Sequence, residues 1–267
     1  MKPKLAKDEG YRVMTEFIKA TNDFVIRFAN VNGSGSASAN NLFNKVVFRS
    51  GVPVSSKNIF PSNIQGLPTW FEVRINEQGH LGRRGGYDFV VAVNGQTMDR
   101  DYKELLPGGY FFYDSSKWLP NHYQRTDIRL IGIPLTTICN ENYTEPRLRQ
   151  IFKNIIYVGA LAYLFDMDFS VFEDSIKSQF AKKAKLIEPN IKALLLGYDY
   201  AKAHFENGCG LNVHRRDLNG DQVLMEGNDA AALGAVFAGA TVAGWYPITP
   251  STSVIESFEK YCHKYRV

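Results

Sequence analysis

"DFVIRFANVNGSGSASANNLFNKVVFRSG" runs from residue 23 to residue 51, and its reading decides the fold. The first nine residues, DFVIRFANV, are dominated by β-branched and aromatic side chains and predict a strand. "NGSGSASAN" (32–40) breaks that run with two glycines and small polar residues. Apolar residues then recur at Leu42, Phe43, Val46 and Val47, a helical spacing, and Gly51 stops the pattern. A strand, a glycine turn and a helix in direct succession form the repeating unit of an α/β fold.

The rest of the chain extends that unit. "VPVSSKNIF" (52–60) predicts a short strand and "PSNIQGLPTW" (61–70) a loop, by its prolines and Gly66. In "TWFEVRIN" (69–76), Trp70, Glu72 and Arg74 alternate with Phe71, Val73 and Ile75, and a turn follows at Asn76 to Gly79. "YDFVVAVNG" (87–95) is apolar without alternation, as in a strand covered on both faces. "GGYFFYDSS" (108–116) and "DIRLIGIPL" (127–135) are two more strands, the second ended by Pro134. Three helices follow. The first enters through Thr144 or Glu145 with Pro146 in its first turn, and the others lie in "FSVFEDSIKSQFAKK" (169–183) and "EPNIKALLLGYDYAKAHF" (188–205). Strands alternating with helices and a helical finish predict a three-layer α/β/α domain. "ENGCGLNVHRRDLNGDQ" (206–222) has the composition of a linker or a surface hairpin between two units. Beyond it, Asn228 is placed to cap an Ala-rich helix that Gly239 ends, "ATVAGWYPI" (240–248) reads as a buried strand, and Ser253 with Glu256 forms a capping-box pattern. These last elements amount to about one βα repeat, too little to close a core.

Composition narrows the functional classes. At 267 residues and 45% hydrophobic, the chain has the make-up of a soluble globular protein. Its formal net charge of +4 is spread along the chain, with no basic stripe of the kind that tracks nucleic acid. Cys139, Cys209 and Cys262 show no C-x-x-C spacing, so no zinc or iron–sulfur site is expected from this chain, and the sparse set suits a reducing, cytoplasmic compartment. Ala230 to Ile248 holds nineteen residues without a charge, but Gly234, Gly239 and Gly244 interrupt it, which suits a buried helix and strand and no membrane span.

Two turns are candidate binding elements. The backbone N–H groups of Gly33 to Ser36 stand at a helix start, where they either receive a phosphate or carboxylate or simply form a tight turn that permits close packing. In "YPITPSTS" (246–253), Pro247 and Pro250 fix the backbone on both sides of Thr249, which makes either an anion-receiving hydroxyl turn or a plain capped turn. Asn63 and Gln65 are amide donors in the proline-bracketed loop, either facing a ligand or serving an ordinary connection. The five histidines have no metal-ligand spacing, and no Ser-His-Asp or Cys-His set assembles, so no catalytic residue is assigned within the chain.

"EGNDAAALGAVFAGATVAGWYPITPSTSVIE" (226–256) closely resembles the start of the α subunit of 2-oxoacid:ferredoxin oxidoreductases. "VIRFANVNGSGSASANNLF", "FPSNIQGLPTWFEVRI" and "YDFVVAVNG" resemble the γ domain that some members fuse ahead of α, an arrangement most like 2-oxoglutarate:ferredoxin oxidoreductases. The resemblance covers roughly residues 22 to 267. It implies a tail at 1–21, a γ domain at 22–205, a linker at 206–222, and at 223–267 the first βα elements of a pyrimidine-binding domain of a thiamine diphosphate enzyme.

What the resemblance implies chemically is a component of an enzyme for oxidative decarboxylation. A 2-oxoacid, with 2-oxoglutarate favoured, and coenzyme A yield acyl-CoA and CO2, with two electrons passed to ferredoxin. By the same resemblance Thr249 hydrogen-bonds the substrate carboxylate and Tyr246, Pro247 and Ser251 shape the pocket; Gly33, Ser34 and Gly35 are named on the geometry of their turn alone as a contact for coenzyme A or another anion. Thiamine diphosphate, its Mg2+ and the iron–sulfur cluster are expected on a partner β subunit. The family's α domain continues beyond the threonine motif, so the chain is expected to be a fragment, inactive alone. The alternative is a non-catalytic γ-like module that binds coenzyme A or another anion.

Overall fold

The computed structural model describes residues 16–59, 65–123, 125–248 and 251–266, and the chain forms two compact units, divided in sequence between Asn219 and Gly220. In chain order the first unit contains β1 (Ala20–Thr21), β2 (Asp23–Val31), α1 (Ser36–Arg49), β3 (Val54–Ile59), β4 (Pro68–Asn76) and β5 (Tyr87–Ala92). It continues with α2 (Met98–Glu104), β6 (Leu105–Asp114), β7 (Arg129–Ile133), α3 (Leu135–Asn142), α4 (Pro146–Leu164), α5 (Phe169–Gln179), α6 (Ile187–His204) and β8 (Leu211–Asn212). The second unit contains α7 (Gly227–Phe237) and α8 (Thr252–Tyr265).

Six strands form one mixed sheet in the order β3-β4-β2-β5-β6-β7. β2, β5, β6 and β7 run parallel, while β4 pairs antiparallel with both β2 and β3. Period-two alternation sends Phe24, Ile26, Phe28, Phe71, Val73, Ile75, Phe89 and Val91 to one face. That face is covered by α1, α3, α4, α5 and α6, and the aromatic side chains interlock there: Phe165 meets Phe89 edge-on with centroids 4.9 Å apart. Val25, Val90, Phe111 and Tyr87 face the other way into a smaller cluster with Tyr102 of α2 and with Tyr123 and Ile128. The fold is therefore mixed α/β with unequal layers, five helices on one side and one short helix on the other. Sequence reading missed α2 and α3, because "MDRDYKE" and "LTTICNEN" are too short to show an apolar period.

Two glycines bring α4 and α6 into contact. A Cβ on Gly159 would stand 1.9 Å from the Leu194 carbonyl oxygen, and one on Gly197 would stand 1.8 Å from that of Ile156. The helices touch through their backbones because neither position carries a side chain.

Residues 206–219, expected within a linker, are built into the first unit. β8 pairs in parallel with β1, and Cys209, Leu211 and Val213 are buried. The Arg216 and Leu218 N–H groups donate to the carbonyls of Ser50 and Gly51 at the end of α1, at 2.8 and 2.9 Å. Polar composition suggested a linker or surface hairpin, and alternate apolar residues, Cys209, Leu211 and Val213, anchor the segment in the first unit. Residues 222–226 have no regular secondary structure and are largely exposed.

In the second unit α7 and α8 lie side by side in the same direction. Asn228 Nδ2 donates to Ser253 Oγ at 2.7 Å near the two starts, and Phe237 meets Tyr265 near the two ends. Three expectations are corrected here. The stretch 240–248 forms no strand and its residues are mostly exposed, since the described residues of this unit include no neighbouring strand to pair with its backbone. The residue capping α7 is Glu226, with Asn228 already inside the helix, although Gly239 does close it in the left-handed conformation at φ 86°. α8 starts at Thr252 with Ser251 as its cap, so Ser253 also lies inside the helix. No helix among the described residues is long and apolar enough to cross a membrane.

Candidate ligand-binding turns

β2 and β5 are parallel neighbours whose connections leave on opposite faces of the sheet, α1 on the thick side and α2 on the thin side. A crevice at the carboxyl ends of two such strands is where open α/β sheets receive ligands. The turn 32–35 stands on its edge. Gly33 and Gly35 both have φ of 80°, in the left-handed region that glycine enters without steric cost. Gly35 is the residue preceding the first turn of α1, which has no side-chain cap and no acidic residue. Among the described residues no side chain caps its N-terminal N–H groups, an arrangement that can receive solvent or an anion.

The glycine turn and the proline-bracketed loop, both read as candidates to face a ligand, meet at this point. The Asn32 N–H donates to the Leu67 carbonyl at 2.8 Å and the Gly66 N–H donates back to the Asn32 carbonyl at 3.0 Å. Gln65 lies against Gly33, where a Cβ would stand 2.7 Å from Gln65 Cγ. Asn63 lies outside the described residues. Beneath the turn is a polar cluster that sequence reading missed. Asn40 Nδ2 donates to Asn30 Oδ1 at 2.9 Å, Tyr157 OH to Asn40 Oδ1 at 2.6 Å, and Asn94 Nδ2 to the Asn30 carbonyl at 2.9 Å. Burial pushes the Tyr157 hydroxyl well above the ordinary tyrosine range, so it stays a donor. The available signal was an asparagine at the end of each of two apolar strands, Asn30 in FANV and Asn94 in AVNG.

In the second unit Tyr246 and Pro247 are exposed, and Thr249 lies outside the described residues. Ser251 Oγ donates toward the carbonyls of Ile248 at 2.7 Å and Tyr246 at 3.0 Å. Its hydroxyl therefore folds the turn and does not cap α8. The structure brings Tyr246 and Ser251 together, and separately Gly33 and Gln65, while Gly35 lies against Ile151 and Asn154 of α4.

A second polar cluster lies on the thin face. Arg27 of β2 stands opposite Glu72 of β4, with its guanidinium 3.0 Å from Glu72 Oε1 and also bonded to Tyr87, Asp101 and Glu104. Arg27, Glu72 and Asp101 are all buried, and Trp70 Nε1 donates to Asp101 Oδ1 at 2.9 Å. Burial raises the Asp101 carboxyl above its ordinary value, outweighing the hydrogen bonds and the Arg27 charge that oppose it. This cluster secures α2 to the sheet, and Arg83 and Arg100, both exposed, pair with Glu72 and Glu104 from the solvent side. Among the described residues no three His, Cys, Asp or Glu side chains gather as a metal site. Burial pushes the thiols of Cys139 to about 11 and Cys209 to about 12, so neither is a thiolate at neutral pH.

The sequence profile described as pyruvate ferredoxin/flavodoxin oxidoreductase matches residues 25–200, which include the glycine turn, Gln65 and the asparagine cluster. The chain belongs to that family. Among relatives of this oxidoreductase family, 2-oxoacid:ferredoxin oxidoreductase 2 subunit alpha of Aeropyrum pernix is 21% identical, over 86% of this chain and 42% of its own. The 2-oxoglutarate oxidoreductase subunit KorA of Mycobacterium tuberculosis is 23% identical, over 89% of this chain and 41% of its own. A solved 2-oxoglutarate:ferredoxin oxidoreductase from Magnetococcus marinus, with 2-oxoglutarate, coenzyme A and succinyl-CoA bound, matches with a TM-score of 0.78 and 26% identity, over 91% of this chain and 42% of that one. The gamma subunit of a keto/oxoacid ferredoxin oxidoreductase from Geobacter sulfurreducens shares the fold, with a TM-score of 0.53 and 20% identity, over 67% of this chain and 99% of that subunit. The chain thus spans about two fifths of the length of the first three.

Proposed function

We propose that the chain is the γ-type domain and the opening α-type segment of a 2-oxoacid:ferredoxin oxidoreductase. The first unit is then the γ domain, and the residues from 220 onward begin the α domain. The observation that carries this reading is the match to the Magnetococcus marinus enzyme, which extends over 91% of the chain and so over both units. In this reading the assembled enzyme works in the cytoplasm and converts a 2-oxoacid and coenzyme A to acyl-CoA and CO2, delivering two electrons to ferredoxin. The KorA relative and the Magnetococcus marinus enzyme favour 2-oxoglutarate as substrate.

The chain's own residues have positioning roles here. Thr249 holds the substrate carboxylate, in a turn that Pro247 stiffens and the Ser251 hydroxyl fastens to the Tyr246 and Ile248 carbonyls. The N–H groups around Gly33, Ser34 and Gly35 receive an anionic group of coenzyme A. Neither thiamine diphosphate with Mg2+ nor an iron–sulfur cluster fits the described residues, since metal-ligating side chains do not converge and the two buried thiols stay protonated. Both groups belong, in this reading, with a β subunit.

The test is 2-oxoacid- and coenzyme A-dependent reduction of ferredoxin by the full-length polypeptide purified with its β subunit. A hydrogen bond to a charged group contributes about 1.5–3 kcal/mol, so Thr249→Val is expected to lower kcat/KM for the 2-oxoacid about tenfold or more. Unchanged kinetics would remove Thr249 from the site. A second reading, a non-catalytic module that holds coenzyme A, draws on the fold the first unit shares with a separate γ subunit. It predicts coenzyme A binding with no 2-oxoacid-dependent electron transfer in the same preparation.

A further inference from the structure

We infer that Asn154 of α4 is the residue that aims the Gly33–Gly35 turn at its ligand. The inference rests on the proposal that this turn receives an anionic group of coenzyme A. Asn154 is 5% exposed, and its Nδ2 donates to the Ser34 carbonyl at 2.9 Å. A trans peptide holds its C=O and N–H in opposite directions. With the Ser34 carbonyl pulled onto α4, the Gly35 N–H of the same peptide points away from α4. Gly35 is left-handed at φ 80° and ψ 5°, and the helical residue Ser36 follows it. Successive left- and right-handed residues turn their N–H groups toward a common point and form an anion-binding nest. Asn154 therefore fixes the direction in which the nest opens.

Other contacts hold the turn without deciding that direction. The Ser34 N–H donates to the Val31 carbonyl at 3.2 Å, and the Gly66 N–H takes the Asn32 carbonyl. Neither restrains the Ser34–Gly35 peptide, which two glycines would otherwise leave free to rotate. Two buried polar atoms at this place make no well-formed hydrogen bond: Ser34 Oγ in the turn, and Asn30 Nδ2 of a side chain 1% exposed whose other amide atom is held by Asn40 of α1. An unsatisfied buried polar atom is costly; the Asn30 amide has the Tyr157 hydroxyl beside it, whereas Ser34 Oγ stands in the turn itself.

The experiment uses the full-length polypeptide with its partner subunit and two probes, coenzyme A and pantetheine, which has the same thiol arm and no phosphate. Asn154→Leu removes the donor and keeps the side chain's bulk; Asn154→Ala is the companion variant if leucine disturbs folding, as checked by thermal melting. Either variant is expected to weaken coenzyme A binding about tenfold, the effect of about 1.4 kcal/mol, and to leave pantetheine binding unchanged. A merely structural role would move both probes together, and that result overturns the inference. Gly35→Val, which places a branched side chain at a positive φ, separates this outcome from failure of the site itself. If Gly35→Val abolishes the preference for coenzyme A over pantetheine and the Asn154 variants keep it, Asn154 is not the positioning residue and the site survives. If wild type shows no such preference, or Gly35→Val leaves it intact, the coenzyme A reading of the turn fails and the inference falls with it.

Discussion

Gly197 carries a strict steric requirement that its position in "ALLLGYDY" (193–200) does not announce. A methyl there would stand 1.8 Å from the Ile156 carbonyl oxygen, so Gly197→Ala must push α6 off α4. Overpacking of this kind costs about 1–3 kcal/mol, and guanidinium unfolding is expected to show a loss of stability of about that size, with the midpoint moved to lower concentration. Gly234 of α7 is the control, because a Cβ there meets nothing within 4 Å. Gly234→Ala should be neutral or slightly stabilising through helix propensity. Helical periodicity places both glycines inside helices and cannot tell them apart. The Arg27–Glu72 pair was hidden in the same way. Glu72 fits the polar phase of an alternating strand, and only the roof of Asp101, Tyr87 and Trp70 makes that phase a buried one.

The elements followed the sequence where a local signal existed. β2, α1 and β5 lie where hydrophobic period and glycine stops place them, and Pro146 opens α4 as its fixed φ allows. The clasp formed by β1 and β8 had no such signal, since each strand has two residues. Tyr110 of β6 locks it: its hydroxyl accepts the Gly210 N–H and donates to the Ile18 carbonyl, both at 2.8 Å. Tyr110→Phe leaves both backbone groups without that partner, at a cost of about 1–3 kcal/mol for a buried group. The expected result is faster amide exchange at Gly210, while exchange in β2 and β5 stays slow. Equal acceleration across the sheet would mean that Tyr110 supports the whole core and not this clasp.

At the scale of the molecule the chain is two units of different character. The first buries a continuous core around six strands, and the second is a helix pair with Phe237, Val242, Tyr246 and Ile248 more than half exposed. The exposed stretch 222–226 should therefore be the first site of limited proteolysis, with glutamyl endopeptidase cutting after Glu226 to leave a product that melts cooperatively. Early cleavage at Glu206 would show that the clasp, and not this stretch, is the weaker point.

By itself the sequence determined the α/β class, the order of most strands and helices, and the positions of the two glycine- and proline-marked turns, because strand period, helix period and glycine or proline stops are written within a few residues of one another. It also carried the family resemblance that the match over residues 25–200 bears out. Only the tertiary structure decided that Gln65 lies against Gly33, that Asn154 holds the Ser34 carbonyl 120 residues away, that Arg27 is neutralised inside the thin face, and that 240–248 forms no strand. Those outcomes depend on which neighbour each group meets across the sheet or between helices, and a strand without a partner backbone has nothing to satisfy its N–H and C=O groups.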